Sequence, residues 1–216
     1  MVKPTELYNE AYVTGCDSTQ EWMLPWFFKK FKEHNKKPII FANFGVTDSS
    51  LQIIKDNVHA IMDLTKTQEQ GWFKKPLSML KSPSKKTVWI DTDCEVRQST
   101  DDIFNLIEAD KLLMARDEPW IQRRKHLWHN SGVVGFLDKP VILYQWVKAV
   151  KENPEEGDQE VLDKMLSPIT KIKYIKDLPN EYNVLRIQLE LDGYDGNVRV
   201  AHWTGKKGKN KIASMV

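Results

Sequence analysis

With 216 residues and 41% hydrophobic side chains, the chain is long enough for one sizeable core and short for two full domains, so residues 1–216 read as a single domain. Its 32 basic and 30 acidic residues nearly cancel, leaving a net charge of +2, which removes any global electrostatic argument for nucleic acid or an anionic membrane. Only Cys16 and Cys94 are present, which excludes a disulfide framework and a cysteine-rich zinc site; reduced thiols in a cytoplasmic compartment are the simplest expectation. The amino terminus has no signal-peptide apolar core and no stretch approaches the roughly 20 apolar residues of a membrane span, so a soluble protein is expected.

Along the chain, residues 11–14 form a short β-prone run that breaks at Gly15. Ser18 and Glu21 have the spacing of a capping box, and Leu24, Phe27, Phe28 and Phe31 follow as one apolar helical face; Pro25 either kinks that helix or marks its first turn. A second strand spans 38–44, a helix 49–57 and a short strand 58–62, so the alternation is that of a largely parallel sheet with helices on its faces. Residues 71–80 read as helix despite Pro76, and 81–86 as a turn. Beyond the next strand come a helix over 99–109, a strand over 112–115, and an irregular, aromatic and basic loop over 116–128 that is a candidate lid. A strand at 133–137, helices at 141–150 and 159–166, and late strands at 172–175 and 198–201 complete the reading, with 205–216 as a flexible basic tail.

The richest stretch is Val88-Trp89-Ile90-Asp91-Thr92-Asp93, a buried strand that delivers two carboxylates to its carboxyl edge, where open α/β sheets bind ligands. Residues i and i+2 of an extended segment share a side, roughly 6–7 Å apart, near enough to grip one cation. An all-oxygen pair favours Mg²⁺, Mn²⁺ or Ca²⁺ over zinc, and such ions complete their shells with water and phosphate, so a phosphorylated ligand is implied. Taken alone, Thr92 and Asp93 would equally suit a turn.

Five further features stand at the ends of apolar runs. Thr14-Gly15-Cys16-Asp17 allows close approach of a base or ribose; Asn130-Ser131-Gly132 has the small polar groups that bind sugar hydroxyls or make a turn. Gly157-Asp158-Gln159-Glu160 precedes a helix, where Asp158 is either an N-cap or a carboxylate facing a reaction centre. Leu178-Pro179-Asn180-Glu181-Tyr182-Asn183 is turn-like by itself. His202-Trp203-Thr204-Gly205-Lys206-Lys207 pairs an imidazole that can complete a Mn²⁺ site with lysines that can neutralise a diphosphate.

In order and chemistry together, these residues resemble a GT-A glycosyltransferase, with a pattern most similar to glycosyltransferase family 8, the glycogenin and bacterial galactosyltransferase group, over roughly residues 11–209. The resemblance implies an α/β fold, with a Rossmann-like, mixed, mostly parallel central sheet and helices on both faces. It implies that Asp91, Asp93 and His202 hold Mn²⁺ or Mg²⁺ against the diphosphate of a nucleotide sugar, a UDP-sugar in most relatives, with Thr92 beside it. Thr14, Gly15 and Asp17 would lie by the base and ribose, Lys75 or its neighbour Lys74 by the donor, and Gly205 and Lys206 by the phosphates. Asn130 and Ser131 would touch the donor sugar, and Asp158 and Gln159 would sit close to the anomeric carbon as the catalytic pair, in a reaction that retains configuration. The chain departs from the family's usual Gly-x-x-Lys-Pro-Trp ending, since its lysines fall at Lys206, Lys207 and Lys209, and it is shorter than many relatives, without an evident acceptor or anchoring extension. The acceptor, a glycan, protein or other hydroxyl compound, is not legible.

Two rival readings follow from the same residues. A nucleotidyltransferase also uses paired carboxylates and metals, but would carry a Gly- and Lys/Arg-rich phosphate loop, which residues 14–17 are not. A non-catalytic sugar- or nucleic-acid-binding module could use Trp120, Trp128, Arg123, Arg124 and Lys125 to stack bases. Within the enzyme reading, that same segment is the expected acceptor contact.

Overall fold

The computed structural model describes residues 8–68 and 71–216. Strand β1 (Tyr8–Cys16) pairs in parallel with β2 (Ile39–Asn43) and β4 (Ser84–Ile90), and β2 with β3 (Ala60–Asp63). Beyond β4 lie β7 (His129–Leu137), antiparallel to both neighbours, then β6 (Leu112–Arg116) and β8 (Ile175–Leu178), which run parallel to each other. The seven-stranded order is β3-β2-β1-β4-β7-β6-β8, a mixed and mostly parallel sheet. A smaller three-stranded sheet joins β5 (Cys94–Val96), β10 (Val200–His202) and β9 (Val184–Leu185) in the order β5-β10-β9.

The central stretches of β1, β2, β4, β6 and β7 are apolar on consecutive residues because both faces of the sheet are covered there. In β4, Val88 and Ile90 join one core cluster with Tyr12, Phe31, Phe41 and Phe104, while Trp89 joins the other with Val13, Ile40, Val134 and Trp146. Helix α1 (Leu24–His34) supplies Phe27, Phe28 and Phe31 to the first face, and α5 (Val141–Glu152) supplies Ile142, Leu143 and Trp146 to the second. Tyr12 meets Phe31 and Phe104 edge-on at 4.9 and 5.0 Å, a preferred aromatic geometry. Helix α2 (Asp48–Lys55) is capped by the Thr47 side chain, and α3 (Lys74–Leu80), α6 (Asp158–Met165) and α8 (Arg186–Glu190) flank the carboxyl edge.

Several expectations are corrected. Pro25 lies in the first turn of α1, but the Ser18/Glu21 capping box does not form: the Glu21 carboxylate accepts instead from Thr47 N (2.7 Å) and Thr47 Oγ1 (2.8 Å), tying the starts of α1 and α2 together. The helix expected over 99–109 is one 3₁₀ turn, Asp101–Asn105, because tertiary bonds capture its start: Asp101 accepts from Lys36 N, and Thr100 bonds Asn35 and Tyr12. The loop expected over 116–128 contains α4 (Glu118–Arg124), whose N-cap Asp117 accepts from Trp120 N at 3.1 Å. The strand expected at 172–175 is mostly the end of α7 (Pro168–Tyr174), with β8 starting at Ile175. The basic segment expected as a flexible tail is α9 (Gly205–Ala213), whose Ile212 is buried in the core. Among the described residues, no helix is long and apolar enough to cross a membrane.

Candidate active site

Backbone pairing brings the acids and the imidazole together. After β4 ends, Asp91 N donates to Gly132 O at 2.9 Å, anchoring the first acid to β7. The chain turns (Cys94 N to Asp91 O, 3.1 Å) and enters β5, whose Cys94 lies opposite His202 in antiparallel register; Trp203 N then donates to Asp93 O at 3.0 Å. As a result His202 Nε2 lies 3.2 Å from Asp93 Oδ1 and 3.8 Å from Asp91 Oδ2. The small sheet therefore carries a residue more than a hundred positions away in sequence onto the two acids.

A buried ammonium faces them. Lys75 Nζ on α3 is 3.3 Å from both oxygens of Asp91, 3.2 Å from Asp158 Oδ2 on α6, and donates to Ser131 O (3.1 Å) and Ser131 Oγ (3.0 Å). Burial alone would lower the Lys75 pKa, but the Asp158 and Asp91 carboxylates outweigh it and raise it above its ordinary value. Burial pushes the Asp91 carboxyl up, with Asp93 adding to the effect and Lys75 opposing it; Trp89 Nε1 donates to its Oδ1 at 2.6 Å. Burial also acts upward on Asp93, yet the charge and hydrogen bond of His202 win and hold it low. The His202 ring is raised in turn: burial opposes its protonation, and Asp93 and Asp91 overcome that.

The donor set fits a hard divalent cation. Asp91, Asp93 and Asp158 set three carboxylates around the Lys75 ammonium when His202 is neutral, and two carboxylates with one imidazole suit Mn²⁺ or Mg²⁺. Cys94 Sγ lies within 4.8 Å of the ligand atoms of Asp93 and His202, but burial pushes its thiol well above the usual range, so a thiolate is not at hand. The His202 ring is seated closely: a methyl group at Gly132 would collide with its Cε1 and Nδ1.

These groups line a cleft of about 590 Å³, of the size that takes a nucleotide or a drug-sized ligand. Gly15, Asp17, Lys75, Thr92, Asn130, Ser131, Asp158, Gln159 and Gly205 all line it, beside the acids and His202. A side chain at Gly15 would strike the Ala42 carbonyl of β2, so glycine is required at this close crossing. Asp17 Oδ1 accepts from Thr19 N (3.0 Å) and Thr19 Oγ1 (2.6 Å), which holds that carboxylate in place in the cleft lining.

Three expected residues lie elsewhere. Thr14 is wholly buried away from the cleft, because β1 continues two residues past it to Cys16. Lys206 is exposed and outside the cleft; the turn of α9 brings Gly205 and Lys209, four residues apart on one helix face, to the cleft instead. Lys74, the alternative to Lys75, donates from a buried Nζ to the Phe44 and Leu64 carbonyls (3.1 and 3.0 Å) and is structural.

Sequence reading missed Asp117. Its carboxylate is 2% exposed, lines the cleft, and accepts from Asn130 Nδ2 (3.1 Å), Gln159 Nε2 (3.2 Å) and Trp120 N, with burial raising its pKa against those bonds. Its signal was Asp117-Glu118-Pro119-Trp120, an N-cap followed by an early helical proline. Trp120 lines the cleft beside it, stacked on buried Trp128 at 5.9 Å, with the Arg124 guanidinium 4.9 Å from the Trp120 ring centre.

No family model matches the chain, and no curated protein matches its sequence. Solved structures do match. The glycosyltransferase GlyE of Streptococcus pneumoniae TIGR4 aligns with a TM-score of 0.67 at 17% identity, over 91% of this chain and 55% of GlyE. An active-site mutant of LgtC aligns at 0.63 and 12% identity over 95% of each chain, and the bifunctional glycosyltransferase WbbM at 0.65 and 12% over 98% of this chain and 51% of its own. The fold is GT-A. Its 12–19% identities to these structures establish a shared architecture, and the chain spans about half the length of GlyE and WbbM. In this GT-A frame the carboxyl edge of the parallel strands, where β1 and β4 end, carries Asp17, Asp91 and Asp93.

Proposed function

We propose that the protein is a metal-dependent glycosyltransferase that moves a sugar from a nucleotide diphosphate sugar, a UDP-sugar, to a hydroxyl-bearing acceptor with retention of anomeric configuration. The observation that carries the reading is the convergence of Asp91, Asp93 and His202 beside Lys75, at the strand edge of a GT-A sheet. LgtC has been captured with donor and acceptor sugar analogues, and the same two kinds of ligand are proposed for this cleft.

Transfer breaks the bond between the anomeric carbon and a phosphate oxygen, leaving negative charge on the diphosphate and positive charge on the sugar. A Mn²⁺ or Mg²⁺ held by Asp91, Asp93 and His202 would supply charge to the leaving diphosphate. Lys75 and Lys209, which both line the cleft, add positive charge, and a fixed donor of this kind commonly contributes roughly 3–4 kcal/mol. Asp158, anchored to Lys75 at 3.2 Å, gives the cationic sugar a carboxylate to face. Gln159 has its amide held at both ends, its Oε1 accepting from Ser131 N (3.1 Å) and its Nε2 donating to Asp117 Oδ2 (3.2 Å), so it orients the wall around that carboxylate. Trp120, which lines the cleft, offers an aromatic face to an acceptor.

The test is a thermal-shift panel of nucleotide sugars with and without Mn²⁺, followed by product analysis with the donor that stabilises. The wild type is expected to show a shift that needs both components and to release nucleoside diphosphate; Asp91→Asn and Asp93→Asn are expected to lose both. Wild-type turnover by both variants would overturn the site, and release of pyrophosphate would assign nucleotidyl transfer instead.

A further inference from the structure

The polar chain behind His202 has a direction that two backbone donors determine. Gly132 N donates to Asn130 Oδ1 at 2.9 Å, so that atom is the amide oxygen, and the other end of the amide donates to the Asp117 carboxylate at 3.1 Å. Ser131 N likewise requires an oxygen at Gln159 Oε1, which turns Gln159 Nε2 toward the same carboxylate. Asn183 next meets Asn130 Oδ1 at 2.9 Å; an acceptor there demands a donor, so Asn183 presents Nδ2 to it. Its oxygen is then the atom 2.9 Å from His202 Nδ1, and that ring nitrogen must carry a hydrogen. In the neutral ring the lone pair is left on Nε2, the nitrogen that faces Asp93 and Asp91.

We propose that Asn183 is a positioning residue that fixes the tautomer and rotation of His202, so that Nε2 offers its lone pair to a divalent cation before any cation arrives. The inference rests on the metal reading of the site and adds a group that the sequence pattern left as a turn. Asn183 is wholly buried and Asn130 is 5% exposed, so water does not compete for these bonds. Gly132 completes the seat, since anything larger would push the ring off it. The same accounting reassigns Asn130. Its oxygen is taken twice and one amide hydrogen is taken by Asp117, so a single N–H remains for a donor sugar. Its main work is to orient Asn183.

Two measurements test this. In wild-type protein without metal, in alkaline buffer where the ring is neutral, long-range ¹H–¹⁵N correlation is expected to show His202 with its hydrogen on Nδ1; a hydrogen on Nε2 would overturn the proposal whatever the enzyme does. Mn²⁺ affinity, followed by the electron paramagnetic resonance signal of the free ion, is expected to fall about 10- to 100-fold in Asn183→Leu, which removes the acceptor at similar volume. Asn183→Asp keeps an oxygen on Nδ1 but turns its second oxygen against Asn130 Oδ1, so it is expected to recover part of the affinity lost in Asn183→Leu, whereas a purely packing role would make the buried carboxylate the worse replacement. Unchanged Mn²⁺ affinity in folded Asn183→Leu would also refute it. If wild-type protein bound no Mn²⁺ the metal reading would fail, and the tautomer measurement would still decide what Asn183 does.

Discussion

Replacing Lys75 by methionine asks how much of the fold's stability the candidate site spends on holding like charges together. The Lys75 side chain is buried, and its Nζ reaches both oxygens of Asp91 at 3.3 Å, Asp158 Oδ2 at 3.2 Å, and the carbonyl and hydroxyl of Ser131 at 3.1 and 3.0 Å. Methionine fills a similar volume but removes the charge together with the hydrogen bonds to Asp91 and Ser131. Breaking a buried ion pair from one side costs about 3–5 kcal/mol, because the remaining carboxylate stays desolvated. The Asp91 side chain is 24% exposed and its cleft is open to water, so the low end applies, about 3 kcal/mol. The pH dependence has a definite sign. Lys75 is held above its ordinary pKa, so its ammonium is fully formed throughout the neutral range and its contribution is lost only in strong alkali. Burial raises the Asp91 carboxyl and Lys75 pulls it down; without Lys75 it rises further, and a carboxyl raised above its unfolded value costs stability as pH increases. The deficit of Lys75→Met is therefore expected to be larger at about pH 8 than at about pH 5. In urea unfolding, 3 kcal/mol corresponds to a midpoint lower by roughly 1–3 M, and added Mn²⁺ should restore part of it. A midpoint equal to wild type at the higher pH, or a deficit that grows toward acid, would refute this account of the charges.

Two further outcomes follow from the same geometry. Because Asp93 and Asp91 raise the His202 pKa over the opposing effect of burial, a proton competes with the cation for Nε2; Mn²⁺ affinity is expected to climb roughly tenfold per pH unit until the ring is neutral, then level off. In metal-free protein the same group works oppositely, stabilising below the ordinary histidine pKa and losing that contribution as pH rises through the raised value; titration calorimetry and metal-free unfolding should show the two opposed trends. Lys209 lines the cleft and its charge helps hold Asp93 low, whereas Lys206 is exposed outside it. Lys209→Met is expected to weaken nucleoside diphosphate binding about tenfold, or about 1.4 kcal/mol, while Lys206→Met leaves it unchanged; the reverse pattern would mean that the other face of α9 binds the phosphates.

The central strands were legible because burial on both faces writes them as unbroken apolar runs: residues 88–90 and 133–137 could hardly be anything else. The errors came where local pattern and tertiary demand disagree. Ile172-Lys173-Tyr174-Ile175 alternates like a strand, but Ser167 before Pro168 starts a helix, its Oγ accepting from Thr170 N at 3.3 Å. Residues 101–109 have the apolar spacing of a helix, yet Asn35, Tyr12 and Lys36 hold its first residues in other bonds. Of the small sheet's strands, two or three residues long, β10 is legible as a strand at 198–201, while β5 and β9 are too short for periodicity to show, although the sheet brings His202 to the acids.

At the site, legibility divides by the kind of chemistry. Asp91, Asp93 and His202 could be read because charged groups at the ends of apolar runs need a reason to be there, and a ligand is the economical one, whereas Lys75 enters only through the family resemblance. Asp117 follows the apolar run 112–115 yet reads as part of a loop, and Asn183 stands in a stretch that is turn-like by itself; the role of each arises from who donates to whom across the fold. Directionality enters through Gly132 N, a donor that cannot be reversed, and it passes through two amides to settle the face His202 turns toward Asp93. A reversal at either amide would set oxygen against oxygen or hydrogen against hydrogen in a buried place, at about 1–3 kcal/mol per unsatisfied group. The nitrogen that faces Asp93 is thus selected from the rear of the site, through the amides of Asn130 and Asn183.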